Sequence, residues 1–270
     1  MILQLRRTWI CLLILLVPSA VHAQLAEDHE TEVVTVKAKG EIVNDKLDLK
    51  EVANLIIART NNFRGEEKRK SVTVSEPLMA TAHYFANYMA RTNRYGHLAD
   101  GNKPNERAKS HGYEYCIISE NIAYEYSSIG FQRDDLAKSL TEGWKHSPGH
   151  RKNMLDADVT ETAVAVAWSS ETGHYYAVQM FGRPKSQAIE FQIANETETA
   201  IEYKIGTRTF PLPPRLIRTH QICRPADVKF VWSDAANDTQ TVRPETHDEF
   251  LVERVDGKLQ LKRQAAAQTK

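Results

Sequence analysis

Three short stretches of this 270-residue chain concentrate side chains able to bind a ligand or move a proton. They are Tyr95-Gly96-His97, Ser119-Glu120-Asn121-Ile122-Ala123, and Trp144 through Leu155, which contains His146, Ser147 and His150. Imidazoles and carboxylates serve as metal ligands and as general bases near neutral pH. Taken singly, each has a plainer use: a histidine after a helix commonly caps it, and a glutamate before an asparagine commonly begins a turn or helix. His146 and His150 stand four apart, but Pro148 between them spoils a shared helical face. The sequence has no His-Glu-x-x-His motif, and Ser147 lies outside any nucleophile-elbow pattern. A site therefore requires a fold that gathers all three stretches.

The surrounding pattern predicts elements that could do so. Asp48 followed by Glu51 has the spacing of a capping box, and Leu49, Val52, Leu55 and Ile56 form an apolar helical stripe behind it. The mixed-charge run from Arg64 to Lys70 reads as a solvated loop. Leu78, Ala82, Phe85 and Met89 place a second helix that Gly96 should end, leaving His97 just past its terminus. A third helix spans about Asp134 to Lys145, with Leu136, Leu140 and Trp144 inward. Ser147-Pro148-Gly149 ends it, and His150 follows the turn. Ala163–Trp168 and His174–Phe181 read as a β-hairpin, so helices followed by a hairpin predict an α+β fold and not a parallel α/β sheet.

Pro184 opens a boundary. Beyond it come short strands at Ile189–Ile193, Ala200–Ile205 and Val228–Trp232, then Phe250–Val255 and Lys258–Lys262 joined by an Asp256-Gly257 hairpin turn. Residues 186–270 hold 12 basic and 12 acidic side chains and are read as a small all-β domain of unknown role. Within it, Pro211 to Arg215 reads as a rigid loop. Asn195-Glu196-Thr197 and Asn237-Asp238-Thr239 fit the glycosylation sequon, which matters only in a eukaryotic secretory route.

At the other end, Arg6 and Arg7 precede the uncharged run Ile10–Val17 and a Val21-His22-Ala23 ending, the pattern of a secretory signal peptide over residues 1–23. An uncleaved anchor is the weaker reading, because the run is short for a bilayer span. Residues 24–47 read as a polar linker. Cleavage removes Arg6, Arg7 and Cys11 and leaves 247 residues, 33 basic against 35 acidic side chains, and two cysteines. In an oxidising compartment Cys116 and Cys223 could form a long-loop disulfide, with two separate buried thiols as the alternative. Near-neutrality argues against nucleic acid as a partner, and no later segment is apolar enough to cross a membrane.

The order of the motifs resembles the CAP superfamily, also called SCP, in its compact bacterial form, over residues 48–184. The resemblance rests on Ala58-Arg59-Thr60-Asn61, the Ala-rich second helix ending at His97, Asp100-Gly101, Glu106-Arg107-Ala108, Gly112-Tyr113 and Ser119 to Ala123. It continues through Trp144 with Ser147 to Leu155, the most specific stretch, and Tyr175 to Gly182. It implies an α-β-α sandwich, here followed by the all-β domain, with a central cleft lined by two histidines and acidic residues. The matching positions are His97, Glu120 and His150. In plant and animal members a second acidic residue follows the helix tryptophan by three positions. Ser147 stands there in this chain, and Glu142 is the nearest acidic side chain without being counted as a ligand.

Two imidazoles and a carboxylate suit a divalent ion such as zinc, with an open position left for water or a bound group. The expectation is therefore an exported, periplasmic or secreted binding protein whose His97/Glu120/His150 cleft holds a divalent metal or a small or lipid-like ligand. One alternative is a peptide or ester hydrolase, using water on zinc with Glu120 as base, or Ser147 with His150 and Glu120. Another is an envelope adhesion or scaffold protein that meets a protein or envelope partner through its β domain.

Overall fold

A computed structural model describes residues 32–43, 46–232 and 239–264. The signal-peptide segment and the Asn237-Asp238 half of the second sequon lie outside the described residues. In chain order the first elements are β1 (Val34–Thr35), α1 (Leu49–Glu66), β2 (Thr73–Val74), α2 (Glu76–Thr92), β3 (Arg94–Tyr95), α3 (Pro104–Ser110), β4 (Tyr115–Glu125), α4 (Arg133–His146) and α5 (Pro148–Met154). The hairpin β5 (Glu161–Trp168) and β6 (Tyr175–Pro184) follows as expected. No helix among the described residues is long and apolar enough to cross a membrane.

A four-stranded sheet in the order β2-β5-β6-β4 carries helices on both faces. Alternation along β5 shows how. Ala163, Ala165 and Ala167 face a cluster with Leu78, Ala82, Phe85 and Met89 of α2. Val164 and Val166 face the opposite cluster, with Val52 and Ile56 of α1 and Leu136, Leu140 and Trp144 of α4. Successive strand residues point to opposite faces, so one strand serves both cores, and its alanines leave room for α2. This is the α-β-α sandwich.

Local differences from the sequence reading have physical causes. Asp48 caps α1 by accepting from the Lys50 and Glu51 amides at 3.1 Å. The Glu51 carboxylate turns instead to Asn54 at 3.3 Å. The first part of the charged run continues α1 to Glu66, and Arg64 is fully buried, donating to the Lys70 and Met154 carbonyls at 2.8 and 2.6 Å. Burial holds its pKa below the usual arginine value. Helix α2 stops at Asn93, which takes the left-handed conformation (φ 52°) that asparagine tolerates. The Asn93 side chain then binds Ser169 and Glu171 of the β5–β6 loop at 2.7 and 2.8 Å.

Gly96 has a different task. At φ 141° it lies against the Glu32 carbonyl, which any Cβ there would strike. Within the segment read as linker, β1 pairs with β3 (Val34↔Tyr95) and Val36 is buried in the α2-side core. Pro148 begins a new helix, α5, at its N-terminal position, so His150 lies on a helix and not merely after a turn.

After a 3-10 turn at Lys185–Gln187 come β7 (Ile189–Asn195), β8 (Ile201–Ile205), β9 (Arg208–Leu212), β10 (Ile217–Ile222), β11 (Val228–Val231), β12 (Thr239–Val242), β13 (Asp248–Val255) and β14 (Lys258–Gln264). They form two sheets, β10-β7-β13-β14 and β12-β11-β8-β9, around Phe191, Tyr203, Phe230 and Phe250. Part of the Pro211–Arg215 stretch is strand, because Pro211 falls on β9 at a sheet edge, where its missing donor is tolerated. The first sequon is internal. Asn195 is 1% exposed and its amide donates to the carbonyls of Thr199, Leu212 and Pro213, which leaves it inaccessible to a glycan in the folded chain.

Cys116 on β4 and Cys223 beyond β10 form a disulfide, with Cα atoms 5.1 Å apart. Beside it Arg224 reaches Asp156 and Asp158 at 2.7 and 2.8 Å. The Lys185 amide donates to the Glu114 carbonyl at 2.8 Å, so several bonds join the β region to the α-β-α sandwich.

Candidate functional site

Strand β4 lies at the edge of the central sheet, and its consecutive residues Glu120 and Asn121 project to opposite faces. Glu120 shares its face with Ile122, on the α2 side, and accepts a 2.8 Å hydrogen bond from His97 Nδ1. Asn121 turns to the other side, where its amide donates to the His150 carbonyl and to Gln179 Oε1, both at 3.3 Å. Asn153 of α5 donates to Asn121 Oδ1 at 2.9 Å and to the Glu120 carbonyl at 3.3 Å. The edge strand thus ties His97 on one side and the helix of His150 on the other to two adjacent residues.

The Glu120 side chain is 1% exposed, and Arg107 Nη2 lies 2.9 Å from both of its oxygens. Arg107 is equally buried. Its Nη1 donates to Asp100 Oδ1 at 2.7 Å and to the Asn102 carbonyl at 2.6 Å, and its Nη2 also reaches the His97 carbonyl at 3.0 Å. The guanidinium lies 3.5 Å from the centre of the Phe85 ring. Asp100, Arg107 and Glu120 therefore form a buried ion cluster that holds His97 by both its backbone carbonyl and its ring. The His97 side chain keeps 16% exposure. An ionised carboxylate only accepts, so the proton of this hydrogen bond is carried by His97 Nδ1.

Of the three expected site residues, His97 and Glu120 are in direct contact, and His150 joins through Asn121. A metal centre with Glu120 among its ligands does not fit this arrangement, because both Glu120 oxygens are committed to Arg107 and one also to His97. Among the described residues no group of three or more His, Cys, Asp or Glu side chains gathers in a way that could hold a metal. Glu120 instead occupies the place of an outer carboxylate that orients an imidazole.

Glu142 lies apart from the cluster. It pairs with Lys145 at 2.8 Å, a bond that lowers its pKa, and lines a groove of about 700 Å³ with Ile129, Phe131, Asp135 and Lys138. Ser147 sits at the junction of α4 and α5. His83 is exposed, and His174 is fully buried, where desolvation lowers its pKa.

The sequence reading assigns no role to Arg107, Asp100, Asn121 or Asn153. Arg107 was visible within Glu106-Arg107-Ala108, and nothing in the local pattern distinguishes it from a solvated arginine on a short helix. Its place follows from α3 packing beside β4, the element that follows it, where Glu120 stands 13 residues further on.

Residues 57–181 match the model of CAP, the cysteine-rich secretory protein family. A curated relative, the uncharacterized protein YkwD of Bacillus subtilis (strain 168), is 26% identical over 129 residues, covering 47% of this chain and 46% of that protein. The chain thus spans about half the length of that relative. Among solved structures, an outer surface protein from Borrelia burgdorferi aligns with 52% of this chain and 97% of its own, at 16% identity and a TM-score of 0.45. An extracellular protein containing an SCP domain from Bacillus anthracis str. Ames aligns with 54% of this chain and 45% of its own, at 22% identity and a TM-score of 0.43. Residues 57–181 of this chain form a CAP domain of the cysteine-rich secretory protein family.

Proposed function

We propose that this is an exported CAP-domain protein that works by binding, and that the oriented, partly exposed ring of His97 is part of the surface it offers to its ligand. The observation that carries this reading is the convergence of the buried Asp100–Arg107–Glu120 cluster on one partly exposed imidazole. Burying several charges costs desolvation free energy that packed apolar side chains would avoid. Here the cluster fixes the tautomer and direction of a ring that reaches the surface. A divalent metal in this reading would be held by the His97 imidazole, with Glu120 as the orienting group, while His150 is tied to the site through its backbone carbonyl. Such an ion would offer a Lewis-acidic position to an anionic or carbonyl oxygen of a small ligand. Export is supported by the composition of residues 1–23.

The hydrolytic alternative that uses Glu120 as base is disfavoured, because Glu120 is committed to Arg107 and His97. Zinc titration of the full chain by calorimetry tests the binding reading. Saturable binding lost in His97→Ala, with the fold intact, is the expected result. Equal metal content in wild type and in the His97→Ala, His150→Ala double variant overturns the metal part. An intact mass beginning at Gln24 for protein recovered outside the cytoplasm is the expected sign of export.

A further inference from the structure

The C-terminal β region is neutral as a whole, but its charges are segregated. Residues 203–226 contain Lys204, Arg208, Arg215, Arg218 and Arg224 and no Asp or Glu before Asp227. Arg224 is engaged by Asp156 and Asp158, and Arg215 by Glu198. Arg208 and Arg218 take part in no carboxylate ion pair among the described residues. Both lie over one ring, with their guanidinium carbons 5.3 and 5.9 Å from the centre of the half-buried Phe210.

Phe210 is on β9 and Arg218 is on β10, one edge strand of each sheet, and the Phe210 ring meets His220 of β10 at 5.0 Å. Behind them Tyr203 and His220 share a 2.7 Å hydrogen bond. Burial raises the Tyr203 pKa and, together with the Arg218 charge, lowers that of His220. Both are therefore neutral at neutral pH and supply no counter-charge. Two cations gathered on one aromatic ring without an anion form a site that an external carboxylate completes.

The backbone beside this site is also open. Leu216 accepts from the Asn195 amide, and in the β10–β7 register this turns residues 216, 218, 220 and 222 toward β7. The N–H and C=O groups of Ile217, Thr219 and Gln221 consequently face outward along the β10 edge. The neighbouring β9 edge is blunted by Pro211. Leu216 and Ile217 are 52% and 65% exposed, giving the same edge an apolar end.

We propose that the β10 edge, with Arg208 and Arg218, docks an extended acidic peptide segment of a partner protein. The segment adds as a strand to β10. Its alternate side chains place carboxylates against the two guanidiniums, and its other face covers Ile217. A phosphate-rich surface would satisfy the arginines but would use neither the open strand edge nor the apolar end.

The test uses the full disulfide-bonded chain and a fluorescein-labelled ten-residue peptide alternating Glu with Val and Thr, followed by fluorescence anisotropy. The proposal expects saturable binding that weakens at least about tenfold in Arg208→Ser and in Arg218→Ser, and that is screened by salt. Thr219→Pro removes an outward donor and abolishes binding. If that variant fails to fold, the same peptide N-methylated at alternate residues reads the same bonds with the protein untouched. Zinc binding should be unchanged in the arginine variants, which separates this site from the CAP cleft. Absence of saturable binding, equal binding by the arginine variants, or equal binding of a Lys-for-Glu peptide overturns the proposal. Arginine-dependent binding to phosphatidylglycerol vesicles without peptide binding also overturns it and makes the surface a membrane contact.

Discussion

Arg107→Ala tests whether the ion cluster is the keystone of the site. The substitution removes five donor contacts of 2.6–3.0 Å, to Asp100, both oxygens of Glu120, and the carbonyls of Asn102 and His97. It leaves two carboxylates at 1% exposure without their cation. Breaking a buried pair by removing one partner costs about 3–5 kcal/mol, set against a total stability of about 5–15 kcal/mol. In a domain of this size that lowers Tm by about 6–20 °C. Arg107→Lys keeps a cation but loses the fork, and should fall between the two.

Thermal unfolding followed by circular dichroism at neutral pH provides the assay. A gap to wild type under about 1 kcal/mol would refute the reasoning.

Glu120→Gln should leave the chain folded but weaken zinc binding about 10–100-fold in calorimetric titration, because an amide holds the imidazole less firmly. Cys223→Ser, or reduction, opens a loop with a sequence separation of 107 and should cost roughly 4–5 kcal/mol in the chain-entropy account, read from denaturant midpoints with and without reductant. His174 and His220 both have lowered pKa values, chiefly from burial. The unfolded chain binds those protons more readily, so stability should fall as the pH drops below about 6.5. His220→Gln should flatten part of that fall in a Tm-against-pH series.

Much of the architecture was legible because it rests on periodicity. The stripes of α1, α2 and α4 and the β5–β6 hairpin are local patterns, and the Asp256-Gly257 turn has the positive φ angles that its sequence implies. What escaped is set by distant contacts. Pro148 reads as a helix breaker, yet at the first position of α5 its missing amide costs nothing. Gly96 reads as a helix stop, although Asn93 stops the helix and Gly96 accommodates the Glu32 carbonyl. Arg64 reads as solvated because only packing of α1 against the end of α5 brings two carbonyls to it. In the site, His97 and Glu120 were legible as types. That Glu120 holds His97 from within a buried ion cluster depends on Arg107, which reaches it from another element.

The central claim is that Glu120 fixes a protonated Nδ1 on His97 and so orients the ring toward a ligand. Long-range ¹H–¹⁵N correlation spectra of the histidine rings, recorded at neutral pH before and after zinc is added, test it most directly. The account predicts a protonated Nδ1 in the free protein, an Nε2 resonance that moves on zinc addition, and loss of the tautomer preference in Glu120→Gln. A His97 ring protonated at Nε2, or one whose resonances ignore zinc, would contradict it.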